Sequence, residues 1–266
     1  MVGRSSMNLD PIQAASAAQF DRQSQHYGKG HVLERTDDVE SALKHIPLAA
    51  GWRALDVATG GGHTGLLLAA RGCEVTLGDI SKNMLERAAA LAVERGLRVK
   101  TRQFPAEAIP FGDGEFDLVS CRVAPHHFSN PEGFVREAAR VLRPRGYFLL
   151  IDGSIEDGHP EAEAWLHAVE KWRDPSHHRL WAPSSWRRWC AAAGLAVRHL
   201  ELLTFQQPDL EWYFNAAATP PENREKVLEA VRTASPAVRD FMRLRDDYGK
   251  ISWWWQRLVL VAAKEA

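Results

Sequence analysis

Leu55-Asp56-Val57-Ala58-Thr59-Gly60-Gly61-Gly62-His63-Thr64-Gly65 decides how this chain is organised. Ala54 to Val57 is a short apolar strand that runs into a glycine turn, and His63 to Arg71 (HTGLLLAAR) carries helix character up to Gly72. A strand passing through such a turn into a helix opens a βαβ unit. Working outward, Glu74 to Leu77 forms a second strand that ends at Gly78-Asp79. Ser81 then caps a helix over Lys82 to Arg95, which Gly96 stops. The alternation continues through strands at Arg98–Phe104, Phe116–Cys121 and Tyr147–Asp152, with a helix over Pro131 to Leu142. Such an alternation predicts an α/β fold with a parallel sheet covered on both faces, doubly wound by right-handed crossovers.

The flanks have a different rhythm. Ile12–Tyr27 and His31–His45 carry helical spacing. After Asp152, helices at Glu161–Lys171 and Ser184–Ala193 flank the polar run Asp174-Pro175-Ser176-His177-His178-Arg179. Leu195–Phe205 and Trp254–Lys264 have strand character, and Leu210–Asp247 is helical with breaks at Pro220-Pro221 and Pro236. The chain therefore divides into an N-terminal helical cap segment (1–50), a core (51–152), and a region (153–266) that completes the sheet and carries helical cap insertions.

Composition narrows the function classes. The 266 residues are 45% hydrophobic and 25% charged, an ordinary globular balance. Lys plus Arg total 33 against 34 for Asp plus Glu, so net charge gives no reason to expect nucleic acid or an anionic membrane as partner. Cys73, Cys121 and Cys190 stand singly without metal-ligand spacing, which predicts a reducing, cytoplasmic setting and no metal. The first residues lack an apolar leader, and no run approaches the roughly 18 apolar residues of a membrane span, so membrane insertion is not expected.

The chemistry lies in the turn and the next strand's tip. Glycines let a ligand approach backbone that side chains would otherwise shield. Asp79, 23 positions beyond Asp56, stands where a carboxylate accepts from both ribose hydroxyls of an adenosine. Gly60, Gly62 and Gly65 also satisfy the G-x-G-x-x-G dinucleotide pattern, so NAD is not excluded by it. Asp56 separates the two: its charge is unhelpful beside a pyrophosphate and useful beside an amino-acid ammonium, which favours S-adenosylmethionine.

The segments LDVATGGGHTG, VTLGDISKNMLERA, AEAIPFGDGEFDLVSCRVAPHHF and FVREAARVLRPRGYFLLID resemble, in order and spacing, the class I S-adenosylmethionine-dependent methyltransferases. Within them the chain is similar to the methyltransferase type 11 and ubiquinone/menaquinone-biosynthesis-like group. The resemblance implies a Rossmann-like, doubly wound, mainly parallel seven-stranded sheet with helices on both faces and a helical cap. It also implies S-adenosylmethionine as cofactor, S-adenosylhomocysteine as product, and a small-molecule methyl acceptor. By the same resemblance Asp56, Ala58, Gly60 and Gly62 surround the methionine part, Asp79 binds the ribose, and Ile80 packs on the adenine. Ala106 and Glu107 meet the adenine edge, and Cys121 and Arg122 lie near the methionine carboxylate and sulfonium. Ala58 departs from the usual first glycine, and Pro105 stands where the family often has an adenine-binding Asp.

His126 and His127 follow the fourth strand at the edge where ligands bind in such sheets. An imidazole there suits a general base, with His127 the first candidate and His126 the second. Packing beneath the cap is the competing role for both. Within Trp253-Trp254-Trp255, alternation allows only part of the run to face a pocket. Trp165, Trp172, Trp181, Trp186, Trp189 and Trp212 in the later region suggest an apolar or aromatic acceptor, and O- or C-methylation is the expected reaction. A non-catalytic S-adenosylmethionine-binding protein and an NAD-dependent oxidoreductase stay open as alternatives. Base-flipping nucleic-acid methylation is disfavoured by the lack of an Asn/Asp-Pro-Pro-Tyr/Phe motif.

Overall fold

The computed structural model describes residues 7–27, 31–207, 209–247 and 250–266. Residues 1–6, part of the stretch inspected for an apolar leader, lie outside them. Strands β1 (Arg53–Val57), β2 (Glu74–Asp79), β3 (Val99–Gln103), β4 (Phe116–Arg122), β5 (Leu142–Ser154), β6 (Leu195–Gln206) and β9 (Trp254–Lys264) build a seven-stranded sheet in the order β3-β2-β1-β4-β5-β9-β6. The first five pair in parallel, and β9 runs antiparallel between β5 and β6. This is the α/β Rossmann-like sheet that the alternation predicted. The order reverses between β1 and β4, and the carboxyl edge of the sheet at such a switch point is where open α/β folds bind ligands.

Period-2 alternation sorts the side chains of the central strands to two faces. Leu55, Val119, Phe148, Leu150, Leu258 and Leu260 face one core, which α5 (Pro131–Val141) and α7 (Pro183–Ala192) cover. Ala54, Leu118, Leu149, Ile151, Val259 and Val261 face the other, covered by α2 (Asp37–Leu43), α3 (His63–Ala70) and α4 (Lys82–Glu94). Local chemistry sets the helix ends. Ser81 Oγ accepts from the Met84 N–H at the start of α4, and Asn130 caps α5 ahead of Pro131. In α1 (Pro11–Gln23), Asp10 and Gln13 form a reciprocal capping box.

A third core joins α6 (Pro160–Arg173), α8 (Leu210–Ala216), α9 (Pro221–Arg232) and α10 (Pro236–Phe241) around buried Tyr213 and Trp253. Two flank expectations change. His31–His45 is a 3-10 turn at Val32–Glu34 followed by the seven-residue α2, because only Val39, Ala42 and Leu43 on that stretch find a core. The C-terminal end of the 210–247 stretch is no helix: β7 (Arg245–Asp247) pairs with β8 (Lys250–Ser252) as a small hairpin. Among the described residues no helix is long and apolar enough to cross a membrane.

Gly65 shows how tightly α3 seats against the sheet. A Cβ there would lie 2.2 Å from Leu77 Cδ2 and 3.3 Å from the Asp56 carboxylate, and Leu77 is itself fully buried. Alanine is the better helix former, but overpacking outweighs that gain. Gly65→Ala is expected to destabilise the fold by about 1–3 kcal/mol in urea denaturation.

Candidate active site

A cavity of about 370 Å³ opens at the carboxyl edge of the sheet. The turn after β1 forms one wall, with Ala58, Thr59, Gly60 and Gly61 exposed to the cavity. Ala58 and Gly60 both sit at φ +52°. That left-handed backbone suits glycine, so Ala58 adopts it at a cost of about 1–2 kcal/mol. Opposite, Asp79 at the tip of β2 takes the Gly60 N–H on Oδ2 and the Ser81 N–H on Oδ1, each at 2.8 Å. A carboxylate has about four lone-pair directions, so two remain for further donors, and the side chain borders the cavity. Burial pushes its carboxyl up to about 6, against the two backbone bonds that favour the ionised form.

Of the residues singled out for the cofactor, Ala58, Gly60, Asp79, Ile80, Ala106, Glu107 and Arg122 border this cavity. Asp56, Gly62 and Cys121 stand behind its wall. Asp56 is 1% exposed and accepts from Thr59 Oγ1 (2.5 Å), Ser120 Oγ (2.7 Å) and the Gly65 N–H (3.1 Å). Its carboxylate therefore faces inward and braces the turn. Gly62 caps α3 at φ +84°, where a Cβ would lie 2.9 Å from Ala88 Cβ. Cys121 points into the core beneath the sheet, and burial pushes its thiol well up. Glu107 is also committed. One oxygen accepts from Ser129 N–H and Oγ and from the Asn130 N–H, and the other from Gln13 Nε2 at 2.9 Å. It ties α1 to the loop after β4, which leaves the backbone around Ala106 as the nearer partner for a planar base.

At the other end, Val123 turns the chain out of β4 at φ +53°. A β-branched residue is strained there, and its N–H is held by the Ile151 carbonyl at 2.7 Å. The turn delivers a 3-10 segment, Pro125–His127, that places both imidazoles at the cavity. They are not equivalent. His126 Nδ1 lies 2.6 Å from Asp152 Oδ1, a carboxylate with no exposure. Burial alone would lower its pKa, but the charge and hydrogen bond of Asp152 outweigh it and raise the imidazole above 6.5. His127 Nδ1 meets the Ser176 carbonyl at 3.1 Å, and its ring packs edge-on against Phe20 at 4.9 Å. Burial and the neighbouring His126 push it down to about 3, so it is neutral near pH 7. Of the two imidazoles, His126 has the carboxylate partner that stabilises a cationic ring, and His127 does not.

Further cavity residues come from segments already singled out in the sequence as a polar, histidine-bearing run or as part of the glycine turn. The run 174–179 folds over the site, with the His178 and Arg179 N–H groups both donating to the His126 carbonyl. It brings in His177, 2% exposed, whose Nε2 has no partner among the described residues. Neither ring nitrogen of His63 has one, and burial lowers that imidazole to about 4. The Tyr27 carbonyl crosses the turn where Gly61 lacks a side chain; a Cβ would sit 2.3 Å from it. Among the described residues no group of three or more His, Cys, Asp or Glu converges to hold a metal ion. The tryptophans divide as well. Trp186 and Trp189 belong to the core beneath the sheet, Trp253 to the cap core, and of those named only Trp212 and Trp255 border the cavity.

Arg122 is held by three neighbours. It pairs with Asp38 Oδ1 at 2.8 Å and donates to the carbonyls of Leu33 (2.8 Å) and Arg35 (2.7 Å). Asp38 Oδ2 also receives Arg257 Nη1 at 3.1 Å. Removing the one carboxylate between two guanidinium groups leaves buried charge unpaired. Asp38→Asn should therefore cost about 3 kcal/mol or more of stability, read from the urea midpoint at unchanged m-value.

Comparison with known proteins agrees with this architecture. The family described as "Methyltransferase domain" matches residues 55–150. The uncharacterized methyltransferase YcgJ of Bacillus subtilis is 32% identical over 222 residues, covering 83% of this chain and 87% of that protein. Its crystal structure superposes with a TM-score of 0.82 over 87% of this chain and all of that one, at 29% identity. A demethylmenaquinone methyltransferase from Thermus thermophilus is 32% identical over 194 residues, 63% of this chain and 82% of that protein. Geranyl diphosphate C-methyltransferase from Streptomyces coelicolor, solved with Mg2+, geranyl diphosphate and S-adenosyl-L-homocysteine, shares the fold at a TM-score of 0.66 and 16% identity, over 97% of this chain and 99% of that one. With the glycine turn, the acid at the tip of β2 and the seven-stranded sheet in place, the chain belongs to the methyltransferase family.

Proposed function

We propose that the protein transfers a methyl group from S-adenosylmethionine to the oxygen or an acidic carbon of a small acceptor, with His126 as general base. One observation carries the reading. A single cavity joins Asp79, with lone pairs to spare, to His126 braced by Asp152. The cofactor fits the first end: Asp79 for the ribose hydroxyls, Ile80 and the Ala106 backbone beside the adenine, and the Gly60 turn beneath the methionine. The orphaned nitrogens of His63 supply a buried polar partner for the amino-acid end.

The cofactor contributes an electrophilic methyl on a sulfonium; on transfer the S–C bond breaks with its electrons going to sulfur, leaving a neutral thioether. The protein's part is orientation, exclusion of water and proton removal. Donation of the His126 Nδ1–H to Asp152 holds the tautomer whose Nε2 accepts the acceptor's proton, and Asp152 then stabilises the imidazolium. Replacing His126 by Gln should lower the methyl-transfer rate by about 10²–10⁴-fold. S-adenosylhomocysteine affinity, measured by calorimetry, should stay within about twofold, because a base acts on the acceptor and not on the cofactor. An unchanged rate would remove the assignment. The base form of His126 grows as pH rises through its raised pKa, so kcat/KM should climb above pH 6.5. Asp152→Asn should move that limb to lower pH.

Asp79 gives a separate pH signature. Its carboxyl is half-protonated near pH 6 in the free protein, and protonation takes one of the two lone pairs left for the ribose hydroxyls, so both are accepted well only by the ionised form. Cofactor binding therefore expels a proton at low pH. Affinity for S-adenosylhomocysteine should be level above about 6 and fall as pH drops below it. Asp79→Asn should abolish that slope and weaken binding at pH 7.5 by about tenfold or more.

A further inference from the structure

Arg257 is a cavity cation whose only hydrogen-bonded carboxylate among the described residues is shared with a second arginine. Asp38 lies between Arg122 and Arg257, and Arg122 takes both of its oxygens. The trio of one carboxylate and two guanidinium groups keeps a net positive charge, and it falls on Arg257. Arg122 donates to Asp38 and to two carbonyls, whereas Arg257 makes a single hydrogen bond, from Nη1 to Asp38, among the described residues. Its side chain is only 25% exposed and borders the cavity. Burial and the nearby Arg122 lower its pKa, and they outweigh the pull of Asp38 and the weaker one of Asp152, as expected of a cation short of compensating charge.

Its place relative to the base follows from strand register. Arg257 on β9 stands opposite Gly153 on β5, the residue after Asp152. Adjacent strands lie about 5 Å apart and residues rise about 3.4 Å, so the backbone positions of Asp152 and Arg257 are about 6 Å apart. Successive residues point to opposite faces of a strand. The base and the cation thus approach the cavity from either side of the sheet's end. The walls between them are aromatic. The Arg257 guanidinium lies 4.8 Å from the Phe205 ring, and Trp255, paired with Phe205 in register, and Trp212 border the same space. His177 adds an unpaired, uncharged ring nitrogen as a hydrogen-bond partner.

Resting on the methyltransferase reading above, we infer that the acceptor is an aromatic hydroxy acid: its carboxylate pairs with Arg257, its ring lies among Phe205, Trp212 and Trp255, and its hydroxyl reaches His126. A guanidinium with unused donors pairs more strongly with a carboxylate than with the carbonyl of a neutral amide of the same shape, which lacks the opposite charge.

The test uses the full-length protein saturated with S-adenosylhomocysteine. Binding of 4-hydroxybenzoate, 3,4-dihydroxybenzoate and 4-hydroxyphenylacetate is read from tryptophan fluorescence against their primary amides. At least one acid should bind tenfold or more tighter than its amide. That preference should fall to about twofold or less in Arg257→Gln and be partly kept in Arg257→Lys, with S-adenosylhomocysteine affinity and melting temperature near wild type in both. Amides binding as tightly as the acids, no saturable binding of any acid at millimolar concentration, or a preference that survives Arg257→Gln would each overturn the inference. Failure of the wild-type protein to bind S-adenosylhomocysteine would instead overturn the function proposed above, so the two failures are distinguishable. Arg257→Met guards against a folding defect: if Gln unfolds the protein and Met does not, the acid preference is read from Met.

Discussion

The Asp56 carboxylate, buried at the end of β1, is the interaction on which the site's geometry depends. Its three donors come from the turn (Thr59), from α3 (Gly65) and from the neighbouring strand β4 (Ser120). Those elements meet where the strand order reverses, so one side chain ties the turn to both halves of the sheet. A buried carboxylate is tolerated only with such partners, and breaking one would leave charge unsatisfied. Held in this way, the turn carries Gly60 in a left-handed conformation with its N–H on Asp79. The first and second strand tips are therefore locked together before any ligand arrives.

The roof over this frame is polar where the frame is apolar. In α1 the one buried residue is Ser16, and the helix is attached through Gln13 to Glu107, Asp10 to Ser129 and Asp21 to Ser81. The opposite side of the cavity is closed by the 174–179 run, which hydrogen-bonds the His126 carbonyl. Net hydrogen-bond contributions are modest, about 1 kcal/mol each, compared with the burial that holds the sheet.

Most of the fold was legible because its signals are local. The glycine turn, the period-2 runs and caps such as Ser81 and Asn130 each depend on residues a few positions apart. The misassigned stretches lacked such signals. His31–His45 offers few apolar positions, and the 245–252 hairpin depends on pairing between two three-residue strands. The site was legible in outline: Asp79, Gly60 and the His126-His127 pair all border the cavity. Asp56 and Cys121 lie at the expected strand ends but turn away from the cavity, since successive side chains of a strand face opposite sides; Gly62 packs against Ala88 behind the turn, and Glu107 borders the cavity with its oxygens taken up by Gln13, Ser129 and Asn130. The tryptophan-rich region misled for a related reason. Composition counts aromatics, but only packing decides that Trp186 fills the core under the sheet while Trp255 faces the cavity.

The sequence by itself determined the strand–turn–helix frame, the acid at the second strand's tip and the family, because these rest on contiguous motifs and short-range backbone chemistry. Only the tertiary structure decided which imidazole meets a carboxylate and which a backbone carbonyl. Asp152 lies 26 residues from His126, and the Ser176 carbonyl on His127 comes from 49 residues away. It also decided that Arg257, 219 residues from Asp38, carries a charge that one shared carboxylate does not balance. Electrostatic environments depend on distance through space and on burial, and neither quantity is written along the chain.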